Sequence, residues 1–164
     1  MRKVLIVVFS ANLVLTAISL AVSPDQVAIH FGAGGRPDSW ASKEFNAAIF
    51  LVLEVPFFLM FYYAAVLPLG VSRKFLNLPN KDFWLREENL ALLQSKFGRY
   101  MAEFGVAIFV FFLGVNLLAL EANLNDPVVL NGTWFMVVFL AFMIYTLWWL
   151  VRLIQGFRVP QTAV

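Results

Sequence analysis

Four long apolar runs constrain this chain more than any other feature. They cover residues 4–22, 45–70, 101–120 and 134–153. Each meets the ~20 residues needed to cross a hydrocarbon core about 30 Å thick. Lipid offers no partners to a peptide group, so each run must satisfy its own backbone and is predicted helical. Composition points the same way, at 62% hydrophobic and 13% charged, against about half and about a quarter in soluble domains. The expected fold class is all-α: a polytopic membrane protein with four transmembrane helices in a single membrane domain over residues 1–164. The first run also has the look of a signal peptide, with Arg2-Lys3 ahead of it and Ala21-Val22-Ser23 behind. Its apolar stretch is long for an h-region, and Pro24 would follow the cut, so it is read as a retained span.

Basic residues set the orientation. With the N-terminus inside, Arg2, Lys3, Arg73, Lys74, Lys81, Arg86, Lys96, Arg99, Arg152 and Arg158 fall on the cytoplasmic side, and only Arg36 and Lys43 fall outside. That split predicts an N-in, C-in topology with an outer loop at 23–44 and a cytoplasmic loop at 71–100. Trp40 and Trp134 then mark the outer interface, and Trp84, Trp148 and Trp149 the inner one. The same placement accounts for the basic balance without nucleic acid. Cysteine is absent, which excludes disulfides and thiolate metal sites.

The outer loop carries the most specific pattern. Pro24 stops the first helix and Ser42 starts the second. Val27, Ile29 and Phe31 alternate with Gln26, Ala28 and His30, which predicts a short extended piece. Gly32, Gly34 and Gly35 permit a tight reversal, and Arg36-Pro37-Asp38 continues the turn. Ser39 and Ser42 read as turn and cap residues. His30 is the lone histidine. With Asp25, Asp38 and Glu44 nearby it has no recognised metal-ligand spacing, so a hydrogen bond to the loop backbone or to Asp38 is expected instead. The glycines fit no nucleotide fingerprint, and no nucleophile–base pair stands out.

Taken together, Pro24-Asp25, His30-Phe31, Gly35, Asp38, Trp40 and Ser42-Lys43 resemble the signature of a bacterial membrane domain of unknown function, DUF1648. That domain forms the N-terminal part of SdpI-type immunity proteins. The resemblance covers the first half of the chain. It implies a bacterial cytoplasmic membrane location, protection from a secreted peptide toxin, and relay of the toxin's presence inward. The second half that SdpI-type proteins carry is not recognisable in this chain.

The cytoplasmic loop contains Asn77-Leu78-Pro79-Asn80. Pro79 blocks helix, and Asn80 or Asp82 is a candidate cap for the next helix. From there Phe83, Leu90, Phe97 and Phe104 recur every seven residues, widened by Trp84, Leu93 and Met101. This predicts an amphipathic helix on the inner surface, running or bending into the third span. It reads either as a membrane-hugging linker or as a docking surface for a cytoplasmic partner.

Two carboxylates sit in or near the spans. Glu103 lies close to the inner end of the third span, within reach of the interface. Glu54 lies about 13 Å below the outer end of the second span at 1.5 Å per residue. An ionised group at such depth costs on the order of 3 kcal/mol, so Glu54 is expected to be protonated or paired inside the bundle. Asn116, Asn12, Thr16 and the deeper Tyr145 are candidate partners. The cluster reads as a polar pin fixing helix register or as a proton or ion site. Pro56 makes a kink in the second span plausible. Asp126-Pro127 and Asn131-Gly132-Thr133 read as turns before the fourth span.

The functional expectation is a non-enzymatic membrane protein without cofactor or metal. It is of SdpI-like recognition or immunity type and binds an extracytoplasmic peptide through the outer loop. The alternatives are an accessory or assembly subunit of a larger membrane complex, contacting another membrane protein, and a proton- or ion-coupled transporter using Glu54.

Overall fold

The computed structural model describes residues 1–64 and 77–159. In chain order the elements are α1 (Arg2–Val22), β1 (Gln26–Phe31), β2 (Pro37–Ser42), α2 (Lys43–Tyr62), α3 (Lys81–Trp84), α4 (Leu90–Leu124) and α5 (Gly132–Gly156). The helices α1, α2, α4 and α5 are each long and apolar enough to cross a membrane. The chain is therefore a multi-pass membrane protein. Each boundary has a local cause. Ser23 is extended (φ −72°, ψ 151°), because the Pro24 ring disfavours helix in the residue before it. The Ser42 hydroxyl accepts the Phe45 N–H at 3.2 Å, and the Asn131 side-chain Oδ1 accepts the Trp134 N–H at 3.2 Å, so both residues cap helices.

Helices α1, α2 and α4 form the core, and each carries a row of buried residues at seven-residue steps: Leu5, Asn12 and Ser19 on α1; Ala47, Glu54 and Phe61 on α2; Ala102, Phe109, Asn116 and Asn123 among the buried residues of α4. A seven-residue interval is the mark of left-handed, knobs-into-holes packing at shallow crossing angles. Helices α1 and α2 run antiparallel. Phe9 stacks on Phe58 with centroids 4.1 Å apart, and Arg2 lies over the Tyr62 ring at 5.6 Å. Leu5, Phe61 and Phe109 make the apolar layer between α1, α2 and α4. Gly105 lets α2 and α4 approach there, since a Cβ at that position would stand 2.7 Å from Phe61 Cγ. Helix α5 lies along α4 and buries one residue fully, Trp149.

Several expectations need correction. The second span is expected at 45–70; α2 starts at Lys43 and ends at Tyr62, and the helix continues across Pro56, while residues 65–70 lie outside those described. The third span is expected at 101–120, but α4 is one helix of 35 residues, about 52 Å long. The fourth is expected at 134–153, but α5 begins at Gly132 and ends at Gly156. The amphipathic helix is interrupted. After α3, Arg86 is extended (φ −69°, ψ 146°), and a 3-10 turn over Glu87–Asn89 leads into α4. Asn80 stands at the start of α3 in the left-handed region (φ 55°, ψ 38°) and does not cap it. Its amide donates instead to the Phe157 carbonyl at 2.9 Å.

That same carbonyl accepts the Trp84 indole N–H at 2.9 Å. Trp84 is fully buried with Leu78, Leu85, Leu93 and Phe157, so it is a core residue and not an interfacial anchor. Phe83, Leu90 and Phe97 pack on this cluster, and Phe104 stacks on Trp149 at 4.4 Å. The seven-residue stripe therefore faces protein, and Arg86, Glu87 and Glu88 face outward. Arg2, Tyr62, Arg99 and Arg152 gather at this basic end; the hairpin lies at the opposite one.

Candidate functional site

The hairpin of β1 and β2 joins α1 to α2, and two clasps hold it. At its base the Lys43 backbone N–H donates to the Asp25 carbonyl at 3.1 Å, and Lys43 Nζ meets Asp25 Oδ1 at 3.1 Å. Toward its tip His30 Nδ1 meets Asp38 Oδ1 at 2.5 Å, both side chains half-exposed or more. The expected hydrogen bond from His30 to Asp38 is thus present. The continuous turn expected at Arg36-Pro37-Asp38 is not: Pro37–Ser42 is a strand, and Ser39 belongs to it. Register explains how. Ala28 pairs with Trp40, His30 with Ser39 and Phe31 with Pro37. Ile29 on β1 and Asp38 on β2 are therefore unpaired bulges that compensate each other. Burial does not follow the strict alternation read from the sequence either, since Val27 and Ala28 are both buried.

Two contacts fasten the hairpin to the bundle. The Asn123 carboxamide accepts the Ala28 N–H at 2.7 Å and donates to the Ala28 carbonyl at 3.1 Å. It stands in for a third strand beside β1. At the turn, the Leu130 N–H donates to the Gly35 carbonyl at 2.9 Å. Gly35 has φ 73°, and a Cβ there would lie 2.2 Å from the Leu130 oxygen, so only glycine fits.

Beneath the hairpin lies a cleft of about 750 Å³. Its walls are Ile29, His30 and Phe31 of β1, the glycine turn, Phe50 of α2, Ala119 of α4 and Met136 of α5. His30, Phe31 and Gly35 of the signature meet here. Pro24, Asp25, Asp38 and Trp40 do not line it: Pro24 and Trp40 are exposed, Asp25 serves the basal clasp, and Asp38 orients His30. Lys43 instead borders a small polar cavity with Thr16, Ser19, Ser23, Asn46 and Asn116. Its volume of about 10 Å³ is at the lower limit for holding one water.

The intramembrane polar residues are only partly joined. The Asn116 amide lies 3.5 Å from Thr16 Oγ1, at the limit of a hydrogen bond. Asn12 donates to the carbonyls of Val8 and Phe109, each at 2.9 Å. Glu54 is fully buried, as expected, and the Phe9–Phe58 stack sets its layer opposite Asn12. The expected hydrogen bond from Glu54 to Asn12, Thr16, Asn116 or Tyr145 is absent: neither carboxyl oxygen has a partner among the described residues. Asn12 spends its amide on two carbonyls and Asn116 turns its amide to Thr16, and Asn12 Oδ1 has no partner among the described residues either.

In the cytoplasmic loop, Pro79 and Asn80 lead into the Trp84 plug, and Asn77 is exposed. Glu103, expected within reach of the interface, is buried among protein at the basic end, where it receives Arg99 Nε at 3.1 Å and Arg152 Nη1 at 3.3 Å. Sequence reasoning also missed Asn123. The available signal was its seven-residue distance from Asn116 on one helix face.

The geometry defines a multi-pass membrane protein whose first two spans present a braced hairpin over a cleft. Residues 7–54 match the family model described as Domain of unknown function (DUF1648), from the middle of α1 through the hairpin to Glu54. No curated protein and no solved structure matches the chain.

Proposed function

We propose that this is a non-enzymatic recognition protein of the bacterial cytoplasmic membrane, SdpI-like in role, with the hairpin end outside. Its ligand is an extracytoplasmic peptide carrying apolar side chains. One observation carries the reading: His30, Phe31 and Gly35 of the signature share a wall of one cleft, whose other walls are mostly apolar side chains of α2, α4 and α5, with Asn46 and Thr133 among them. At about 750 Å³ it falls within the size range of ligand-binding clefts. Apolar walls supply affinity, and the His30 imidazole, held by Asp38, supplies direction at the rim. The basic end then faces the cytoplasm, as the positive-inside rule requires.

The test is tolerance to a secreted peptide toxin in a sensitive bacterium expressing the chain. Protection is expected from the wild type, and its loss from Phe31→Glu or Thr133→Trp at unchanged membrane levels. No protection by the wild type, or protection indifferent to both substitutions, would refute it. A second reading, an accessory or assembly subunit, draws on the largely unburied apolar surface of α5. Co-purification of a stoichiometric membrane partner in mild detergent would favour that reading instead.

A further inference from the structure

A second pair of hollows lies far from the hairpin. Between α4 and α5 runs a groove of about 550 Å³, walled by Ala107, Val110 and Gly114 on one side and Val138, Ala141 and Phe142 on the other. From Gly114 down to Glu103 it follows about 16 Å of helix, roughly the depth of one leaflet. At the basic end it meets a cleft of about 540 Å³ bordered by Arg2, Ser95, Gly98 and Arg99, with Met1 common to both. An apolar groove adjoining a cationic pocket, with Met1 in the wall of both, has the amphiphilic shape of a lipid.

Charge selects among lipids. Arg2, Arg99 and Arg152 surround the junction, against the one carboxylate of Glu103. Glu103 is buried and already receives both Arg99 and Arg152, so it holds the guanidinium groups in place more than it repels an incoming anion. Arg99 uses Nε for that contact, and its side chain is 71% exposed, which leaves its terminal nitrogens for an oxyanion. We infer that an anionic phospholipid binds here, one acyl chain in the α4–α5 groove and its phosphate between Arg2 and Arg99. Basic pockets between helices at the cytoplasmic interface are suited to such headgroups.

Native mass spectrometry of the full chain, exchanged from mixed lipid into detergent, tests the assignment. Phosphatidylglycerol should be retained over phosphatidylcholine of the same acyl composition. Arg2→Gln and Arg99→Gln should each lower phosphatidylglycerol retention about fivefold, the effect of one basic residue at an anionic surface, and leave phosphatidylcholine unchanged. Ala107→Trp, which fills the groove, should lower both. Glycerol 3-phosphate, a headgroup without chains, should not compete at equal concentration. Equal retention of the two lipids by the wild type, indifference of phosphatidylglycerol to both arginine substitutions, or full competition by glycerol 3-phosphate would overturn it. Arg2→Gln touches no buried ion pair, so it remains informative if Arg99→Gln fails to fold.

Discussion

Asn123→Ala should release the hairpin without unfolding the helices. Ala28 is 2% exposed, and the Asn123 side chain takes up both its N–H and its carbonyl. Truncation to alanine leaves two buried backbone groups unpaired, each costing about 1–3 kcal/mol, or about 2–6 kcal/mol together. That is large against the stability of one small hairpin but need not reach the α1–α2–α4 core, which keeps its own contacts. The substitution should thus appear as local opening, which hydrogen exchange resolves and a melting curve does not. Amide protection over residues 26–31 should fall roughly 30-fold to 20,000-fold at about 1.4 kcal/mol per decade. Protection around Trp149, whose indole N–H reaches the Tyr100 carbonyl at 3.0 Å, should stay constant and serves as the reference. Unchanged protection at Ala28 in the variant would refute the claim that Asn123 anchors the strand.

Three further outcomes are expected. Gly35→Ala should lower the thermal midpoint in detergent more than Gly34→Ala does. Both have φ 73°, worth about 1–2 kcal/mol, but only position 35 meets the Leu130 oxygen; equal shifts would refute the close contact. Glu103→Gln should cost about 1–3 kcal/mol, below the range for fully buried pairs because Arg99 and Arg152 stay partly in contact with solvent; chemical unfolding measures it, and a neutral result would show that the pair holds nothing. Glu54→Met should leave the midpoint unchanged or raise it, since it removes carboxyl oxygens that have no partner among the described residues. A clear drop would show that Glu54 has a stabilising partner, and loss of proton-coupled flux on Glu54→Gln would favour transport.

The spans were legible because lipid imposes one rule on every residue within it, and runs of Leu, Val and Phe obey that rule visibly. Their ends were less so. Hydropathy fades at Tyr100 and Leu120, yet the α4 backbone continues to Leu90 and Leu124 because packing, not lipid, shapes those turns. The first strand was legible from alternation. The second was hidden by Pro37 and Asp38, which read as turn formers, and by paired bulges that no local pattern announces. The depth of Glu54 foretold its burial, but not that Asn12 and Asn116 would spend their donors elsewhere. Trp84 looked like an interfacial anchor because Phe157, its acceptor, stands 73 residues away in sequence.

Buried side chains at seven-residue steps also leave the helices a way to slip. Between greasy helices in a bilayer there is little to stop one rod gliding along another, since hydrocarbon surrounds every position equally. A glide of one heptad, about 10 Å, would leave the phenylalanine rows meshed nearly as well as before. Between α1 and α4 it would, however, pull the Asn12 amide off the Phe109 carbonyl and Asn116 away from Thr16. Asparagines at single rungs thus act as notches on a ruler, and they tell otherwise interchangeable helical surfaces where to stop.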